Sequence, residues 1–274
     1  MDHLSDEEIA AVAVLLSSER LSTFERLAGS NRGAIALHQE MLRLGASLMT
    51  VTAVVEIALR NAVCDRLTEH FGTADWLRRP PSHFRWDDEL KGKIGLAESS
   101  ARKAAYAKLT QEQKRQLDPV AFRKHGGTPP AGLSHEKVSK ARQAAITVPM
   151  GQVVAQLTMY FWKRLFSADY EHALWKPALK RVFPDKSLTR AAVATQLEAI
   201  YQSRNRIAHH EPVYGRRLVQ TEAAIDFVAR HLGNRGHDGA TPLEKLLELE
   251  LNELKVRADA MRQRLAALQA GEPD

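Results

Sequence analysis

Ser203-Arg204-Asn205-Arg206-Ile207-Ala208-His209-His210-Glu211-Pro212 puts two imidazoles beside two guanidiniums, a carboxamide and a carboxylate. Imidazole is the side chain that ordinarily exchanges protons near neutrality, and guanidinium presents a planar fork of donors that matches phosphate oxygens. Together these groups suit proton transfer next to a bound phosphate. Upstream, Val193, Leu197, Ile200 and Tyr201 recur at three- and four-residue steps, which predicts an amphipathic helix running into the segment. Glu211 precedes Pro212 and is biased out of the α region, so that helix should end near His210. On it Asn205 and His209 share a face, as do Arg206 and His210, while the long side chain of Arg204 can reach the same pocket. The competing reading of the same residues is C-capping and surface charge.

Arg204-Asn205 followed by His209, with the doubled histidine and Glu211-Pro212 after it, resembles the Arg-x4-6-His signature of the HEPN superfamily, specifically its Abi-like (abortive infection) family. Leu21-Ser22-Thr23-Phe24-Glu25-Arg26-Leu27 and Val55-Glu56-Ile57-Ala58-Leu59-Arg60-Asn61-Ala62, with Phe71-Gly72 and Trp76, resemble the amino-terminal half of that family. Phe161-Trp162-Lys163-Arg164-Leu165-Phe166, Tyr170, Leu174-Trp175, Pro177, Leu179 and Phe183-Pro184 resemble the run before its signature helix, so the likeness covers roughly residues 20 to 230. Two departures stand out. Leu37-His38-Gln39-Glu40-Met41 replaces an aromatic-rich stretch, and the His-x-Tyr closure of a related toxin class is absent, Glu211 being second after His209 and Tyr214 lying beyond the proline. Control through a modified tyrosine is therefore not expected.

The resemblance implies an all-α, HEPN-like helical bundle, a homodimer that builds one cleft from two signature helices, and a defence or toxin role restrained by an antitoxin or a small RNA. It implies metal-independent cleavage of RNA, with Arg204, Asn205, His209 and His210 catalytic and His209 the principal acid-base group. Glu56, Arg60 and Asn61 either support that site across the bundle or form an ordinary helix-face pair. The rival from another class is a non-catalytic RNA-binding or interaction protein, in which Arg204 and His209 only hold phosphate.

Charge is uneven along the 274 residues. Between Arg78 and Arg142 fifteen positive residues face seven acidic ones, a net +8 in a chain of +6 that leaves −2 elsewhere. A concentrated basic segment suits a polyanionic partner, with Arg123, Lys124 and Arg206 the expected RNA contacts, although solvated helix faces have the same composition. No metal or cofactor is expected. Adjacent His209 and His210 point about 100° apart on a helix, His-Glu-x-x-His is absent, and Cys64 is the lone cysteine, read as a small core residue. A Ser-His-Asp hydrolase lacks its Gly-x-Ser-x-Gly elbow. Asp2, Asp6, Glu7 and Glu8 crowd the place of a basic leader, and the uncharged run from Gln143 to Trp162 is broken by Pro149 and Gly151. A cytoplasmic protein with no membrane partner is the expectation.

Helical signals run through the chain. Ser5-x-x-Glu8 is a capping box, Gly29 closes a second helix, and a long periodic stretch from Asn31 to Phe71 stops at Gly72. Arg78 to Arg85 reads as a linker, Asp118 to Glu136 as a mobile basic loop, and Pro149 to Tyr170 and His172 to Val182 as helices in which Trp162, Phe166 and Trp175 are core. The expected organisation is a helical domain over 1–232 with a basic insertion at about 78–142, a linker over 233–242, and a heptad helix over 243–274. In that helix Leu247, Leu251, Leu254, Ala258, Met261, Leu265 and Leu268 form a seam. The seam can dock on its own chain or zip to a second copy, and the second is preferred.

Overall fold

A computed structural model describes residues 3–270, and the described chain is helical with no strand. Residues 3–62 with 180–270 form one compact unit and Val63–Leu179 the other. In the first unit α1 (Asp6–Leu16) starts on the Ser5 capping box, Ser5 and Glu8 exchanging both bonds at 2.8 and 3.2 Å. α2 (Ser18–Ala28) ends on Gly29 in the left-handed conformation, as glycine permits. α3 (Asn31–Phe71) runs as one helix from the first unit into the second and stops at Gly72, again with positive φ.

Leu37, Met41, Leu44, Leu48, Val51, Val55, Leu59, Val63 and Leu67 recur at three- and four-residue steps on α3, and all are covered. By length and composition α3 is also apolar enough to cross a membrane, a property that a core helix shares. The second unit continues through α4 (Asp88–Ala107), α5 (Gln111–Arg115), α6 (Asp118–Ala121), α7 (His135–Ala144), α8 (Met150–Val154) and α9 (Met159–Arg164). The chain then returns to the first unit for α10 (Arg190–Ala208), α11 (Gly215–His231), α12 (Pro242–Leu246) and α13 (Glu248–Gln269).

Several expectations need correcting. The inserted unit is larger than 78–142, because the supposed linker is itself packed. Trp76, Leu77 and Phe84 are buried, and Phe84 and Trp86 meet Phe161 and Tyr170 in one aromatic cluster. Burial pushes the Tyr170 hydroxyl up to about 12, where it donates to Asp87 at 3.0 Å. Pro149 to Tyr170 is not one helix. Gln156 and Leu157 turn their N–H groups to Val153 and Val154 in tight i→i+3 bonds at 3.0 and 3.1 Å, and Thr158 is extended. His172 to Val182 likewise becomes one wide π-type turn (Glu171–Trp175) and a 3-10 turn (Leu179–Val182) around Pro177. The segment after Asp118 carries α6 and a 3-10 turn, pinned where Arg142 donates twice to Asp118 at 2.6 and 2.8 Å. Trp162, Phe166 and Trp175 are core, whereas Cys64 is only half-buried.

The carboxyl-terminal region packs into the first unit instead of standing apart behind a linker. Thr241 is buried and closes a capping box with Glu244. Leu247 then leaves helical geometry, so the heptad stretch is two helices and not one. On α13 Leu254, Ala258 and Met261 are buried, while Arg264 pairs with Glu40 of α3 and Arg262 with Glu222 of α11. The preferred seam between copies is thus occupied by the chain's own body. Residues 271–274 of the expected helix lie outside the described residues.

Candidate functional site

α10 is positioned by its buried stripe. Val193, Leu197, Ile200 and Ser203 are covered, and Ser203 and Thr221 of α11 share a buried hydroxyl–hydroxyl bond of 2.6 Å. Gly45 of α3 faces Ile207 on the other side, where a Cβ would make an ordinary contact at 3.4 Å. The helix ends in a paired-bond motif with no glycine. The Glu211 N–H returns to the Arg206 carbonyl at 2.8 Å and the His210 N–H to Ile207 at 2.9 Å. His210 occupies the left-handed position, φ 56°, where a side chain costs about 1 kcal/mol relative to glycine. Arg206 tightens the turn by pairing with Glu211 at 3.0 Å and donating to the Pro212 carbonyl at 3.4 Å.

This turn shapes a cavity of about 280 Å³, close to the lower bound of roughly 300 Å³ for ligand sites. Phe24 of α2, His38, Met41, Gly45 and Met49 of α3, and Ile207, His210, Glu211 and Pro212 line it. His38 is 6% exposed, with its ring edge-on to Phe24 at 5.3 Å. Burial holds this imidazole below its ordinary value, and the Arg20 guanidinium and the His210 ring push it the same way. Arg20 also donates to the His210 main-chain oxygen at 2.7 Å. Two imidazoles and the Glu211 carboxylate therefore line one mainly apolar recess, with the Arg20 guanidinium on the His210 main chain, an arrangement able to move a proton beside a fixed positive charge.

Compared with protein-family models, curated proteins and solved structures, the chain matches none.

The residues expected from sequence are distributed as follows. His210 lines the cavity, whereas Arg204, Asn205 and His209 do not contribute to its described lining. His209 caps the helix and is exposed, with its N–H on the Asn205 and Arg206 carbonyls. Arg204 is half-buried and lies 3.8 Å from Glu56 of α3. Arg60 turns to its neighbour Asn61 at 3.4 Å. Arg206 holds the cap together. Arg123 and Lys124 are exposed on the 3-10 turn after α6, in the other unit. Among the described residues no cluster of three or more His, Cys, Asp or Glu is placed to hold a metal ion.

Arg20 and His38 are site residues that sequence reasoning missed. His38 had a signal, since it falls three residues after Ile35 and three before Met41, on the covered face of α3 where a titratable group is unusual. Nothing local marks Arg20, whose partner is 190 residues away.

Proposed function

We propose that the protein is a metal-independent endoribonuclease of the HEPN type that its sequence resembles, acting as a homodimer in a defence or toxin role under the restraint of an antitoxin or small RNA. The observation that carries this reading is that His38 and His210 line one recess at the end of α10, with Arg20 bonded to the His210 main chain and His209 exposed on the adjacent cap. The ribose 2′-oxygen attacks the adjacent phosphorus and its proton passes to His209. As the bond from phosphorus to the 5′-oxygen breaks, His210 gives that oxygen a proton. The products are a 2′,3′-cyclic phosphate and a 5′-hydroxyl.

Each positioned proton-transfer group contributes about 10²- to 10⁴-fold. Arg204, steadied by Glu56, neutralises charge developing on the phosphate, and Asn205 orients His209 or the phosphate. His38 is a positioning residue, since its depressed proton affinity keeps a second positive charge from forming beneath His210. Incubation of the protein in EDTA with an RNA and a DNA of one sequence tests the reading. It requires that RNA be cut and DNA survive, because DNA lacks the attacking hydroxyl. Equal cutting of both, or tight RNA binding without cutting, contradicts it, and the second result selects the non-catalytic RNA-binding alternative.

A further inference from the structure

The second unit carries a cleft that the proposed reaction does not use. It lies between α4 and α7, has a volume of about 500 Å³, and its lining includes Ser99, Arg102, Lys103, Glu136, Ser139, Lys140 and Gln143. Each helix contributes one face, since Ser99 and Lys103 are four residues apart on α4 while Glu136, Lys140 and Gln143 follow one another along α7. The donors outnumber the acceptors. Glu136 is engaged by Lys140 at 2.7 Å, and Glu98 by Arg102 at 2.8 Å with Arg78 at 3.9 Å. Lys103 is exposed and has no carboxylate partner among the described residues.

Arg102 supplies a further observation. Its Nε is buried without an acceptor, although the same side chain lines the cleft. The Lys103 ammonium, the Lys140 ammonium shared with Glu136, the Arg102 guanidinium, two hydroxyls and a carboxamide form the donor set that phosphate oxygens take up. α7 has no buried residue of its own, so its cleft-facing side chains are not committed to a core.

We propose that the α4–α7 cleft binds phosphodiester groups of an RNA chain and so gives the protein a second RNA-binding surface, on the unit that does not contain the α10 site. The choice of RNA rests on the proposed ribonuclease function; the phosphate chemistry does not. The cleft takes backbone phosphates and not bases, because its lining offers charge and hydroxyls and no aromatic ring.

The test uses the full chain and a fluorescent 2′-O-methyl oligoribonucleotide, which has no free 2′-hydroxyl and reports binding whether or not the protein cleaves RNA. Anisotropy titrations at several salt concentrations compare wild type with Lys103→Gln/Lys140→Gln and with the charge-matched control Lys91→Gln/Lys108→Gln, two exposed lysines outside the cleft lining. The cleft variant is expected to bind roughly tenfold more weakly at low salt, with the log–log salt slope shallower by about 0.7 for each phosphate that the variant no longer neutralises. Equal weakening in the cleft variant and the control would overturn the proposal, leaving only diffuse attraction to a basic segment. AMP and inorganic phosphate serve as competitors. Cleft-dependent binding of either that exceeds the affinity for the oligonucleotide would assign the cleft to a free phosphate ester and overturn the RNA-chain assignment.

Discussion

Arg20 of α2 donates from Nη1 to the main-chain oxygen of His210, 2.7 Å away and 190 residues further along the chain. The bond holds the peptide that follows a residue in the left-handed conformation, and it brings a permanent positive charge to the recess that His38 and His210 share. Arg20→Gln removes the charge and keeps a donor. The His38 imidazole then titrates at a higher pH than in wild type, as followed by NMR of its ring protons; an unchanged titration contradicts the described electrostatics.

Stability follows the same histidine. The folded protein disfavours protonation of His38 relative to the ordinary value of 6.5, so below that pH the unfolded chain binds the extra proton more readily. The favourable condition lies above about 6.5. Stability is lost as pH falls from there towards the depressed folded value, and the loss levels off below it. Urea titrations of wild type and His38→Gln between pH 8 and 5 should differ in slope, wild type losing more. Parallel curves would show that His38 does not carry this dependence.

Replacing His210 with glycine separates fold from chemistry. Glycine relieves the left-handed backbone at no steric cost, so His210→Gly is expected to be about 1 kcal/mol more stable by denaturant titration. It should also cut RNA about 10²- to 10⁴-fold more slowly, having lost its proton donor. A variant that is both more stable and fully active would remove His210 from the mechanism.

The docked α13 makes a prediction about packing. Leu254 is 2% exposed, and truncation to alanine should cost about 2–5 kcal/mol. Because its partners belong to the same chain, the denaturation midpoint of Leu254→Ala and of wild type should not depend on protein concentration through this seam. A midpoint that rises with concentration in wild type and not in the variant would mean that the seam joins two copies after all.

Most of the helices could be read from sequence because their signals are local. The Ser5 and Thr241 capping boxes, the Gly29 and Gly72 stops, and the apolar recurrence along α3 each concern residues a few positions apart. Three features could not be read in that way. A seven-residue seam has the same pattern whether it meets a second copy or its own chain, where Arg262 and Arg264 beside it pair with Glu222 and Glu40, so only tertiary packing decides. The Arg78–Arg85 stretch carries the prolines and charge of a linker, yet the tryptophans and phenylalanines beside it are what bury it. At the site, sequence ends the helix near His210 and sets His209 on the face of Asn205. The helix stops at Ala208, and the left-handed turn that places His210 in the recess depends on tertiary contacts with α2 and α3 that no local signal announces.

The central claim is that the end of α10 cleaves RNA by internal attack. The most direct measurement is the chemistry of the product ends, taken in EDTA with wild type, His209→Ala and Arg204→Ala. The account predicts 2′,3′-cyclic phosphate and 5′-hydroxyl termini from wild type, formed about 10²- to 10⁴-fold more slowly by His209→Ala and about 10²- to 10³-fold more slowly by Arg204→Ala. Intact RNA with wild type, termini bearing a 5′-phosphate, or variants that cut at the wild-type rate would contradict it.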